Sequence, residues 1–227
     1  MPTIDLISPS DGFVIPAYTA RPQSQARRGG LVILHPIWGV TPHIRDLCDA
    51  FAVEGYETLA PSLIERQDPG FALQNIDPER FPVRKAAYEA VEAGGRCWPD
   101  IQAAIDALAP PVFLMGFCFG GTAAWVAAAR CEGVAAVACF YGGAIIDFVD
   151  LQPRCPVILH FGRKDETITP EDVAAIEAAH PDVPIWLYDA GHAFVAPSDH
   201  HADSATLAML RTRQFFHRAS GAKESGA

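Results

Sequence analysis

Short apolar runs recur along this chain at about 31–35 (Leu-Val-Ile-Leu-His), 56–60, 112–117 (Val-Phe-Leu-Met-Gly-Phe), 134–140, 157–161 and 184–188, with helical patterns between them. Several runs are continuously apolar, the pattern of strands covered on both faces. The helical patterns fall at about 43–54, 100–109, 120–130, 170–180 and 203–217, with Pro42, Pro99 and Pro170 near their starts, where a missing N–H is tolerated. Alternation of this kind predicts an α/β fold with a mostly parallel central sheet and helices on both faces. The earliest segments, about 3–7 and 12–19, are expected to be antiparallel edge strands. A single domain over residues 1–227 is long enough to bury a large core. The alternation breaks at 62–96, where Pro69-Gly70, Asp77-Pro78, Phe81-Pro82 and Gly94-Gly95 surround one helical stretch near Val83–Glu92. That segment reads as a lid-like excursion over the sheet, and residues 219–227 as a frayed tail.

Composition narrows the partners. Half of the 227 residues are hydrophobic and 19% are charged, which excludes a disordered chain. The net charge is 17 − 27 = −10, the isoelectric point is about 5.1, and no basic run exceeds Arg27-Arg28, so neither nucleic acid nor a membrane surface is an expected partner. Ala107 to Ala129 carries no charge, but Pro110-Pro111 and glycines 116, 120 and 121 divide it into a strand, a turn and an Ala-rich helix rather than a membrane span. Six cysteines without a C-x-x-C pair, and a start lacking a basic and an apolar region, are expected of a reduced cytoplasmic protein. A monomer is the default expectation.

The sharpest motif is Gly116-Phe117-Cys118-Phe119-Gly120-Gly121, between a predicted strand and a predicted helix. It puts a cysteine on a tight strand-to-helix turn with small neighbours two before and two after, where strand and helix backbones approach closely. The helix N-terminus there favours a thiolate and then an oxyanion. A phosphate-loop reading of the same glycines with Thr122 lacks its lysine. Asp165 and His192 follow downstream, each in a loop just after a predicted strand. Nucleophile, acid, histidine is the chain order of the α/β-hydrolase sheet. His192 would take the Cys118 proton and later activate water, while Asp165 fixes the imidazole. His200-His201 with Asp199 and Asp203 offer no identifiable third metal ligand, so no metal site is expected.

At these residues the chain resembles the dienelactone hydrolase family (carboxymethylenebutenolidases) of the α/β-hydrolase superfamily. The resemblance covers nearly the whole chain: His35-Pro36-Ile37-Trp38-Gly39-Val40, Pro42-His43-Ile44-Arg45-Asp46, Gly55-Tyr56, Ala60-Pro61, the Cys118 turn, Gly162…Asp165 and Gly191-His192-Ala193-Phe194. It implies a Cys118–His192–Asp165 triad, no metal or organic cofactor, ester or lactone hydrolysis through a thioester, and an oxyanion hole from the Ile37 and Phe119 N–H groups. Two departures bear on substrate. The family's glutamate that helps deprotonate the cysteine is Pro36 here, leaving His192, the helix dipole or an acid such as Glu65 for that task. Of two arginines that grip a substrate carboxylate, Arg84 roughly matches one, and Ala196 stands where the other would be. The expected substrate is therefore a small, less acidic ester or lactone, with Trp38, Phe81, Tyr88, Phe117, Phe119 and Phe194 as candidate walls. A non-catalytic binding protein on the same fold and a thiol-dependent acyltransferase are the competing readings.

Overall fold

The computed structural model describes residues 2–23, 26–70, 77–92 and 97–220. Eight strands form one sheet: β1 (Thr3–Ile7), β2 (Val14–Ala20), β3 (Gly29–Leu34), β4 (Tyr56–Pro61), β5 (Val112–Phe117), β6 (Val134–Phe140), β7 (Val157–Gly162) and β8 (Ile185–Tyr188), in the order β1-β2-β4-β3-β5-β6-β7-β8. β1 and β2 pair antiparallel, as does β2 with β4, and every other pair is parallel. This is the α/β-hydrolase fold. The continuous apolar runs explain the centre, since β3, β5 and β7 are buried at every position. β8 closes the parallel side as an edge strand, which is why Trp186 and Leu187 remain 39% and 37% exposed despite their apolar character.

Helices α1 (Pro42–Val53) and α6 (Ala202–Ala219) cover one face. Their rings continue into the sheet through Phe51, Tyr56, Phe113 and Phe216, successive centroids lying 5.7, 6.0 and 4.9 Å apart. Fully burying a side chain of this kind is worth about 1.5–3 kcal/mol. The opposite face carries α3 (Trp98–Asp106), α4 (Phe119–Arg130) and α5 (Pro170–Ala179). α4 is buried at every position but Arg130, and its Trp125 donates to the Phe148 carbonyl at 3.0 Å, so the charge-free stretch from Ala107 becomes the central strand and the helix buried against it. Among the described residues no helix is long and apolar enough to cross a membrane.

Helix starts follow their capping chemistry. Pro42 opens α1 after Thr41, and Thr169 with Asp172 forms a capping box around Pro170 at the start of α5. The 62–96 excursion contains α2 (Phe81–Glu92), longer at its start than the sequence pattern, because Pro82 sits in the first turn where its missing N–H is harmless. Its residues 71–76 and 93–96 lie outside the described residues. Ala219 closes α6 and Ser220 caps it, so residue 219, where the tail was expected to begin, is still helical; 221–227 lie outside the described residues.

Candidate active site

Cys118 sits between β5 and α4 with φ 53° and ψ −115°, a conformation that side chains rarely adopt. Three close backbone approaches impose it. A Cβ on Gly116 would lie closer than 3.0 Å to the Gly120 carbonyl oxygen, one on Gly120 equally close to that of Leu34, and one on Gly121 to that of Phe140. Cys118 N–H donates to the Phe140 carbonyl at 3.0 Å, while its own carbonyl accepts from Gly121 N at 2.9 Å and Thr122 N at 3.1 Å. Held at both backbone groups, the residue leaves its side chain half-buried at the C-terminal edge of the sheet, on the N-terminus of α4.

Asp165 and His192 emerge beside it, from the loops after β7 and β8. The two loops are joined by backbone bonds, Arg163 N to the Tyr188 carbonyl at 2.7 Å and Lys164 N to that of Ala190 at 3.0 Å, and by a Lys164–Asp189 ion pair at 2.9 Å. The Asp165 carboxylate is wholly buried, and its Oδ2 accepts from His192 Nδ1 at 2.7 Å. Its Oδ1 takes the Thr167 hydroxyl at 2.6 Å, Thr167 N at 2.8 Å and Ile168 N at 3.3 Å. Burial opposes charge on Asp165, but these hydrogen bonds outweigh it and hold the carboxyl below its ordinary range. Burial likewise opposes charge on His192, and there hydrogen bonds to Asp165 and Cys118, with the charges of both, push the imidazole up to about 10. With Nδ1 committed to Asp165, Nε2 is the nitrogen left for the Cys118 sulfur.

Residues 15–220 match the model of the dienelactone hydrolase family. A match over that much of the sequence decides the assignment. The chain belongs to the dienelactone hydrolase family. Relatives include "Putative carboxymethylenebutenolidase" of Escherichia coli K12, 32% identical with 95% of this chain and 86% of that protein covered, and its namesake in Azospirillum brasilense, 30% identical with 90% and 94% covered. The solved "Putative Dienelactone Hydrolase" from Klebsiella pneumoniae superposes with a TM-score of 0.72 at 28% identity, covering 95% of this chain and 98% of that one. A dienelactone hydrolase-like promiscuous phosphotriesterase from metagenomic libraries, at 20% identity and TM-score 0.75 over 96% and 97% of the two chains, shares the fold. This dienelactone hydrolase family member is a hydrolase acting on ester or lactone bonds.

The loop after β3 carries the family member's departures. Pro36 exposes its carbonyl to His35, whose Nδ1 lies 2.7 Å away. His35 Nε2 accepts the Leu63 N–H at 2.9 Å, so the ring proton is on Nδ1 and is donated to Pro36. Burial drives this histidine's pKa down to about 4, keeping it a neutral strut between Pro36 and Leu63. Phe119, the first residue of α4, has no carbonyl a turn before it within the helix, so its N–H is available to a ligand. Glu65 points elsewhere: its carboxylate accepts from Ser62 Oγ at 3.0 Å and Gly70 N at 2.5 Å, and so serves the 62–70 turn rather than Cys118.

Helix α2 lies across this loop. Phe81 packs on Trp38 with centroids 5.6 Å apart, and Tyr88 meets Phe119 at 5.6 Å. Arg84, between them on the helix, is fully buried; Nη1 reaches the Ile37 carbonyl at 3.5 Å and Nε the Asp68 carboxylate at 3.3 Å. Desolvation lowers its pKa to about 10, with Asp68 opposing, so it stays cationic at neutral pH. Phe194 and Phe117, candidates for walls in the sequence, belong to the core: Phe194 is wedged between Tyr141 and Tyr188, and Phe117 against Phe140. His201 accepts from Ser204 N at 3.4 Å at the start of α6, and among the described residues no group of three His, Cys, Asp or Glu could hold a metal.

Two residues escaped the sequence reading. Thr167 braces both Asp165 and His192, its hydroxyl 3.1 Å from Nδ1. Tyr141, buried at the end of β6 with φ 38°, has its ring 5.1 Å from that of His192, and burial with the nearby Cys118 charge drives its phenol far up. The glycines at 142 and 143 were the available signal for a tight turn there. His160 is a support further back. Its Nδ1 accepts from the Tyr188 hydroxyl at 2.9 Å and its Nε2 donates to Thr212 Oγ1 at 3.1 Å, since the Thr212 proton goes to the Ala208 carbonyl. This neutral chain ties β8, and hence the His192 loop, to α6.

Proposed function

We propose that this protein hydrolyses small, uncharged esters or lactones through a thioester on Cys118. The observation that carries the reading is the hydrogen bond from His192 to buried Asp165, beside Cys118, which is held on a strained turn and whose charge helps raise that imidazole. The Cys118 sulfur attacks the carbonyl carbon, and the resulting oxyanion lies against the N–H groups of Ile37 and Phe119. Collapse breaks the bond to the alkoxide, which takes its proton from His192 Nε2. Water then gives a proton back to His192 as its oxygen adds to the thioester, and the carbon–sulfur bond breaks to release the acid. Asp165 keeps the imidazole oriented and stabilises its cationic form. In this reading Pro36 removes a carboxylate from the cysteine's surroundings, and the imidazolium with the α4 N-terminus supplies the positive field around sulfur.

Labelling by iodoacetamide at neutral pH tests the reading. Cys118 is expected to react about 100-fold or more faster than any other cysteine, because Cys48, Cys97, Cys131 and Cys139 are buried and burial pushes the partly exposed Cys155 thiol up to about 11. Labelling of Cys118 no faster than Cys155 overturns it. The charge state of His192 gives a second check. Its pKa is raised in the folded protein, so the proton it donates to the leaving group is present at neutral pH and lost as pH rises through about 10. Pre-steady-state acylation should fall on that alkaline limb, and an acylation rate still climbing between pH 9 and 11 contradicts the assignment.

A further inference from the structure

We propose that Asp68 sets the charge selectivity of this site by holding Arg84 as an internal carboxylate, so that acyl groups bearing a carboxylate are rejected. The proposal rests on the hydrolase reading above and names its substrate class. Arg84 is a fully buried cation placed directly behind the oxyanion loop: its Nη1 faces the carbonyl of Ile37, and one turn further along α2 Tyr88 lies on Phe119. A buried guanidinium requires a counter-charge, and left without one it recruits an anion from whatever is bound beside it. Here the counter-charge belongs to the chain. Asp68 is only 5% exposed and its carboxylate is shared between Arg84 and the more exposed Arg80. Glu65, bonded to Ser62 and Gly70, adds only a weaker attraction, so Asp68 is the counter-charge in contact with Arg84. A substrate carboxylate reaching Arg84 would come to rest against Asp68, and like charges forced together in a site with little water exclude the wrong ligand more effectively than any lost contact. An uncharged acyl chain meets no such opposition and finds Trp38, Phe81 and Tyr88 on the same side.

The test compares mono-4-nitrophenyl adipate with its methyl ester, two substrates alike in leaving group and chain and differing in one carboxylate. The wild type is expected to prefer the methyl ester by about tenfold or more in kcat/KM, and Asp68→Asn to shrink that ratio by about tenfold, as unmasked Arg84 accepts the free carboxylate. Adding Arg84→Gln to Asp68→Asn should remove the gain. Because each ratio is taken within one protein, a general loss of activity does not disturb it, and Asp68→Ser serves if the Asn variant does not fold. Equal rates on both esters in the wild type, or a ratio untouched by Asp68→Asn, overturn the proposal while leaving the hydrolase reading in place. Hydrolysis of neither ester by folded wild type fells the hydrolase reading and the proposal with it.

Discussion

Cys118→Ala is expected to lower kcat/KM for p-nitrophenyl acetate by about 10⁴-fold or more, with the fold intact. Removing the nucleophile from a Ser-His-Asp arrangement costs on that order, because the remaining members act only through it. Alanine is the right replacement here: the sulfur is half-buried and its loss leaves the backbone bonds to the Phe140 carbonyl and from the Gly121 and Thr122 N–H groups untouched. Near-identical circular dichroism and melting temperature for the two proteins separate lost chemistry from lost structure. Equal hydrolysis by wild type and variant would move the activity to another site. Equal inactivity of both would favour a binding protein on this fold.

Gly116→Ala should instead cost the fold. The added methyl would sit closer than 3.0 Å to the backbone of Gly120, and no side chain can swing aside because both partners are main chain of β5 and α4. Separating them would pull the helix from the sheet at its most buried point, so a loss of about 4 kcal/mol or more is expected, in the range reserved for core overpacking and backbone strain. In a chain of this size that corresponds to a fall of roughly 10 °C or more in Tm. Gly143→Ala is the matched control, since its Cβ would meet nothing within 4 Å. Similar melting temperatures for the two variants would contradict the close approach at Gly116.

The fold was readable in the sequence because its strongest signal is also its physical cause. Strands buried on both faces must be apolar throughout, and the runs at 31–35, 112–117 and 157–161 became β3, β5 and β7. The Cys118 turn was equally readable, since glycine is the only residue that allows such approaches and it stands at 116, 120 and 121. What stayed hidden lies in pairings that no local pattern encodes. Asp68 and Arg84 lie far apart in the sequence, so nothing near either residue announces their ion pair. Tyr141 takes a positive φ that an aromatic residue does not advertise, and Thr167 owes its place to the turn that Asp165 builds around itself. Phe194 was a plausible wall beside His192, but the chain turns at Ala193, with φ 57°, and the ring is buried between Tyr141 and Tyr188.

The excursion between β4 and α3 differs from the rest of the molecule in how it is attached. The Cys118 turn is welded to its surroundings by main-chain contacts that forbid even a methyl group, whereas α2 and the turn leading into it are fastened by side chains: Arg84 and Arg80 on Asp68, Phe81 on Trp38, Tyr88 on Phe119. Each of those fastenings can be exchanged one residue at a time without moving a strand. On the proposed function, bond-breaking machinery and recognition surface therefore lie on separately inheritable parts of the chain. A lineage carrying this architecture can drift from one acyl group to another through single substitutions in α2, while the reaction itself stays locked in place.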